Sequence, residues 1–160
     1  MIARLRQAAR NLTVISAFRF ALWHMLDEMP ESRPCILVAE DDAILRYALV
    51  RSLTQHGYHP LEARDGAEAL QISQGHEGRI DLLITNVAMP RVAGTELARM
   101  LKQDRPDMLV LIISGFHSTA FPPDVLEYAQ ALLKPVDPVD LVIQVDELLG
   151  KTSPPARTQP

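Results

Sequence analysis

Cysteines, phosphate-cradling glycine loops and long apolar runs are all scarce or missing in this 160-residue chain. The single cysteine, Cys35, excludes an intrachain disulfide framework and a cysteine-rich zinc site. No stretch approaches the roughly 18 consecutive apolar residues of a membrane span. Basic residues are not in excess: the net charge is −4, which gives no sign of bulk nucleic-acid binding. Gly75, Gly78, Gly94 and Gly115 make no phosphate-binding motif. The histidines, His24, His56, His59, His76 and His117, lack ligand-like spacing and read as surface or linker residues. A secretory signal is a poor reading of the N-terminus. The apolar stretch after Arg10 is broken by Arg19, and no small-residue cleavage site follows.

What remains is an ordinary globular composition, 48% hydrophobic and 22% charged, sufficient for one domain with its own core. Charge divides the chain. Residues 1–33 carry five arginines against three acids, residues 34–150 carry nine basic residues against seventeen acids, and residues 151–160 add two basic residues. An acidic body thus lies between two mildly basic ends. Three segments are expected: an N-terminal helical extension and linker at 1–33, a domain at 34–150, and a disordered tail at 151–160. The tail holds three prolines and no apolar periodicity.

Ile2, Leu5, Ala9 and Leu12, then Ile15, Phe18, Leu22, Met25 and Met29, have helical spacing with a slip in phase. Trp23 reads as a packing anchor of that helix. Three readings stay open: a helix that packs on a partner or on a second copy, giving a homodimer through 1–33; a membrane-surface helix; or sequence upstream of the true start.

The body alternates two patterns. Short continuous apolar runs, Cys35–Ala39, Asp81–Thr85, Met108–Ile113 and Ala131–Leu133, suit strands buried on both faces. Tyr58–Ala63 suits an edge strand, where Pro60 is tolerated. Between them lie apolar stripes of helical period: Ile44, Leu45, Ala48, Leu49 and Leu53, ending near Gly57; Ala67–Ile72, stopped by Gly75; Leu97, Met100 and Leu101 after Gly94; and Val139–Leu149, ending at Gly150. Strand–helix repetition predicts an α/β fold, a doubly wound parallel sheet of five strands. Ligand chemistry in such a sheet belongs at the carboxyl ends of the strands.

Those ends carry Glu40-Asp41-Asp42, Asn86, Ser114 and Lys134. Adjacent acids repel one another, and a hard cation such as Mg²⁺ relieves that repulsion using one or two carboxylates. Lys134 and Ser114 are suitable donors for an anionic phosphoryl group. Residue by residue a plainer reading is available: Asp42 caps the first helix, Glu40 and Asp41 are solvated, and Lys134 pairs with them. As an ordered set they point to a phosphoryl and Mg²⁺ site.

Residues 34–149 resemble the receiver domain of two-component response regulators. The likeness rests on Ile36-Leu37-Val38-Ala39-Glu40-Asp41-Asp42, on Ile80 to Pro90 with Gly94 after it, on Leu111-Ile112-Ile113-Ser114-Gly115, and on Leu133-Lys134-Pro135. The resemblance implies a flavodoxin-like sheet of order 2-1-3-4-5. It implies Mg²⁺ held by Glu40, Asp41 and the backbone carbonyl of Ala88, phosphoryl contacts from Ser114 and Lys134, and a cis Lys134–Pro135 peptide. The sequence departs from the family at the phosphoacceptor aspartate, which is Asn86 here. An amide has no anionic oxygen for attack on phosphorus. The loss of one charge also removes a ligand from the cation, so Mg²⁺ is expected to bind weakly. The aromatic switch position, three before the lysine, is Ala131. Pro122-Pro123 confines the fourth helix to a short piece.

The expected function is that of a stand-alone receiver-like protein of two-component or phosphorelay signalling, not an enzyme, acting in the cytoplasm without aspartyl phosphorylation. Its expected partner is a sensor histidine kinase or another signalling protein. Only ten residues follow Gly150, so no DNA-binding output domain is expected there. The alternatives are phosphotransfer through another pocket carboxylate, or a small Mg²⁺-dependent phosphohydrolase.

Overall fold

The computed structural model describes residues 33–115 and 121–151. The expectations for residues 1–33, except Arg33, and for the tail beyond Lys151 lie outside the described residues. Among the described residues five strands and five helices alternate: β1 (Cys35–Ala39), α1 (Ala43–Gln55), β2 (His59–Ala63), α2 (Gly66–Gly75), β3 (Leu82–Asn86), α3 (Gly94–Asp104), β4 (Leu109–Ser114), α4 (Pro123–Leu126), β5 (Ala129–Leu133) and α5 (Pro138–Leu148). All neighbouring strands are parallel, in the order β2-β1-β3-β4-β5. The doubly wound sheet expected from the alternation is the one observed, and β2 with its Pro60 lies at an edge.

The period-2 alternation of β1, β3 and β4 sends successive side chains to opposite faces, and both faces are apolar. Leu37, Ala39, Leu83, Val110 and Ile112 pack with Ala69 of α2, with Leu97, Ala98 and Leu101 of α3, and with Val125 of α4. Ile36, Val38, Leu82, Ile84, Leu111 and Ile113 pack with Leu49 and Leu53 of α1 and with Leu141 and Val145 of α5. Each buried Leu, Ile or Val side chain contributes roughly 1.5–3 kcal/mol, so these two clusters hold most of the fold's driving force.

Short local signals set the helix ends. Asp42, Asp65 and Asp137 cap α1, α2 and α5, each accepting from one or two backbone N–H groups two or three residues further on. At the far end of α1, Gly57 (φ 83°) donates to the Thr54 carbonyl at 3.1 Å, and Tyr58 donates to the Leu53 carbonyl at 3.1 Å. At the end of α5, Gly150 (φ 69°) donates to Glu147 and Lys151 to Asp146. Both are Schellman closures, in which glycine takes the left-handed conformation at no steric cost. Pro123 opens α4, which runs for only four residues, as the proline pair foretells.

Three details differ from expectation. β3 and β4 each begin and end one residue later than the apolar runs suggest, and β5 begins two residues earlier, at Ala129. Backbone pairing continues past the last apolar side chain, so Asn86 and Ser114 belong to the strands rather than to the loops after them. Ile44 and Val139, placed in apolar stripes by their spacing, are 83% and 65% exposed. Each stands in the first turn of its helix, and the apolar stripe enters the core only further along.

Candidate functional site

The chain leaves β1 for the edge strand β2 and then returns across β1 to form β3. This reversal opens a crevice at the carboxyl ends of β1 and β3. In register Ala39 faces Thr85, so Glu40 and Asn86 are the next residues side by side. Ser114 ends β4 opposite Leu133, the residue before Lys134. The main-chain N–H of Lys134 donates to the Ser114 carbonyl at 2.8 Å. The Lys134–Pro135 peptide is cis.

Asn86 occupies the centre of this group. Its Nδ2 donates to Asp41 Oδ1 at 2.9 Å, to Glu40 Oε1 at 3.1 Å and to the Ala88 carbonyl at 3.2 Å. Only this orientation is chemically tolerable, because an amide oxygen turned inward would face two carboxylates. Lys134 Nζ reaches the other oxygen of Glu40, Oε2, at 3.3 Å. Five of the residues singled out from the sequence, Glu40, Asp41, Asn86, Ala88 and Lys134, therefore form one contiguous network. Ser114 lies at the same rim with 1% of its surface exposed. Ala131 lies on β5, half-buried against the core on the α2–α3 side of the sheet.

The two carboxylates differ in environment. Glu40 is 1% exposed, and burial pushes its carboxyl above the usual range, opposed by the Asp42 N–H and the Lys134 charge. Asp41 is held below its usual range. Its partial burial acts upward, but the hydrogen bond from Asn86, with its own main-chain N–H and the Lys134 charge, helps outweigh it. Asp42 stands apart from both: its Oδ1 accepts from Ile44 N–H at 2.8 Å and Leu45 N–H at 3.1 Å as the cap of α1.

The supporting contacts were not visible in the sequence. Arg46, one turn into α1, donates to the Glu40 carbonyl at 2.8 Å and fixes the β1–α1 loop. Gly94 opens α3 directly over β3, where a Cβ would meet the Asn86 carbonyl oxygen at 2.0 Å. Its N–H donates to the Val87 carbonyl at 2.9 Å. A glycine soon after Met89-Pro90 was the available signal, but only the coordinates show what it approaches. Arg91, at φ 69°, pairs with the buried cap residue Asp65 and ties the β3–α3 loop to α2.

The oxygens of Glu40, Asp41 and Ala88 are donors of the type Mg²⁺ takes. As arranged they do not fit the ion, because the point on which they converge is filled by Asn86 Nδ2. Chemically the rim offers acceptors, one ammonium–carboxylate pair in which the carboxylate is buried, and no carboxylate at position 86.

Comparison with known proteins agrees with this fold. The family model described as response regulator receiver domain matches residues 36–146. The response regulator receiver protein CpdR of Brucella abortus is 38% identical over 116 residues, which cover 71% of this chain and 95% of that protein. The sensor kinase CckA of the same organism is 34% identical over 118 residues, 72% of this chain but 12% of the kinase. Among solved structures, the receiver domain of the hybrid histidine kinase CckA superposes with a TM-score of 0.62 at 35% identity, covering 72% of this chain and 98% of that domain. A receiver domain from Clostridium thermocellum gives 0.67 at 28% identity, covering 74% and 95%. With the strand order, the crevice and the family match over most of its length, this chain belongs to the response regulator receiver domain family of two-component signalling.

Proposed function

We propose that this receiver domain works as a stand-alone signalling module that is not switched by aspartyl phosphorylation. The observation that carries the reading is the side chain at position 86. Phosphoryl transfer to a receiver needs a carboxylate oxygen at the end of β3, and Asn86 offers a neutral amide whose nitrogen is engaged by three acceptors. The remaining carboxylates are poor substitutes. Asp42 is committed to the cap of α1, Glu40 is buried against Lys134, and Asp41 holds the Asn86 amide. This disfavours both phosphotransfer through a neighbouring acid and hydrolysis by way of Asp41 or Asp42. Ala131 supports the same reading, since a methyl group at the switch position cannot relay a change by ring rotation.

In this reading the protein docks with a sensor histidine kinase or another signalling protein in the cytoplasm, and its conformation is set by that binding. Its similarity to a receiver protein and to part of a sensor kinase supports a partner of that class. Ser114 and Lys134 keep the positions of phosphoryl contacts without a phosphoryl group to hold. Mg²⁺ binds weakly, since it enters only by displacing an amide.

The test is incubation with a small-molecule phosphodonor and Mg²⁺, followed by intact-mass measurement. No phosphate addition is expected on the native protein, and the Asn86→Asp variant is expected to acquire label. Stable phosphate on the native chain overturns the proposal.

A further inference from the structure

We infer that the Asn86 carboxamide is a built-in substitute for the divalent cation of the pocket, so that the acidic crevice keeps its shape without any metal. This deepens the reading of the site given above and rests on its being a receiver pocket. Three oxygens from two segments of the chain, Glu40 Oε1 and Asp41 Oδ1 after β1 and the Ala88 carbonyl after β3, lie 2.9–3.2 Å from one nitrogen. That nitrogen carries only two hydrogens, so at least one is shared between acceptors and its donor capacity is used up. The amide supplies the positive end of a dipole where the acids converge, and Lys134 supplies a full charge on the far side of Glu40 at 3.3 Å.

The backbone of residue 86 is held independently of its side chain. Asn86 pairs with Ile113 in the sheet, and its carbonyl lies directly under Gly94 and accepts from Thr85 Oγ1 at 3.2 Å. An entering ion therefore cannot push the main chain aside. It has to rotate the side chain and break all three hydrogen bonds. An aspartate here would instead place a third carboxylate on the same oxygens and leave the position to a cation.

The experiment compares thermal unfolding of the full chain and of its Asn86→Ala and Asn86→Asp variants, in chelator and in Mg²⁺ at a concentration just sufficient to saturate Asn86→Asp. The native protein is expected to melt at the same temperature in both, within about 1 °C. Both variants are expected to melt lower in chelator and to rise by roughly 5 °C or more with Mg²⁺. Either of two results overturns the inference: the native protein gains as much from Mg²⁺ as Asn86→Asp does, or Asn86→Ala stays indifferent to the metal. If Asn86→Asp fails to fold, Asn86→Ala decides alone. The functional reading fails separately. Phosphate uptake by the native chain would sink that reading while leaving the metal result standing, and Mg²⁺ stabilisation of an unphosphorylated native chain would sink only this inference.

Discussion

Gly94 shows how tightly the neighbourhood of Asn86 is built. A β-carbon at this position would lie 2.0 Å from the Asn86 carbonyl oxygen and 2.8 Å from Thr85 Oγ1. Both belong to β3, which pairs with β1 as far as Thr85 and with β4 through Asn86, so neither can retreat cheaply. Gly94→Ala is expected to destabilise the fold by about 1–3 kcal/mol, the usual range for overpacking, and urea unfolding measures it. The identities of Glu40, Asp41, Asn86 and Lys134 as a group were legible in the sequence, because each follows an apolar run and a parallel sheet gathers such positions at one rim. The direction of the Asn86 amide was not legible. It depends on which oxygens converge there, and that convergence is a property of the crevice. The roles of Arg46 and Arg91 were hidden for the same reason, since each acts on a backbone or cap that spacing alone does not bring near.

At the scale of elements, α4 is the shortest helix among the described residues that the sheet carries, and an ion pair ties it to its neighbour. Arg99 of α3 donates from Nε and Nη2 to both oxygens of Asp124 of α4, at 2.6 and 2.9 Å. This fork holds the Asp124 carboxyl below the usual carboxylate range. A lowered folded value means that the pair's contribution is present above the unfolded pKa and is lost as pH falls through the folded one. The pair lies at the surface, so its effect on stability is small. Carboxyl ¹³C titration is expected to give a lower midpoint for Asp124 in the native protein than in Arg99→Gln, and equal midpoints would contradict the contact. Helix positions were legible from apolar period and from the aspartate and glycine ends. Ile44 and Val139 misled because period assigns a residue to a face but does not say how far the core beneath that face extends.

For the whole molecule, the order of alternating patterns sufficed to give the sheet, since a strand–helix repeat of this length has few ways to bury two apolar faces. Cys35 reports on that burial. It begins the interior strand β1 at 6% exposure, and burial together with the nearby Asp81 charge pushes its thiol up. Thiolate is the reactive form, so a disulfide reagent at neutral pH is expected to label Cys35 slowly in the native state and rapidly in denaturant. Fast native labelling would show that the start of β1 opens far below the global unfolding free energy.

The pinned main chain at residue 86 has a consequence for how such domains diverge. Strand pairing, Thr85 and Gly94 specify the path of the polypeptide there whatever side chain it bears. A lineage can therefore exchange that one side chain without rebuilding the path of the strand that carries it.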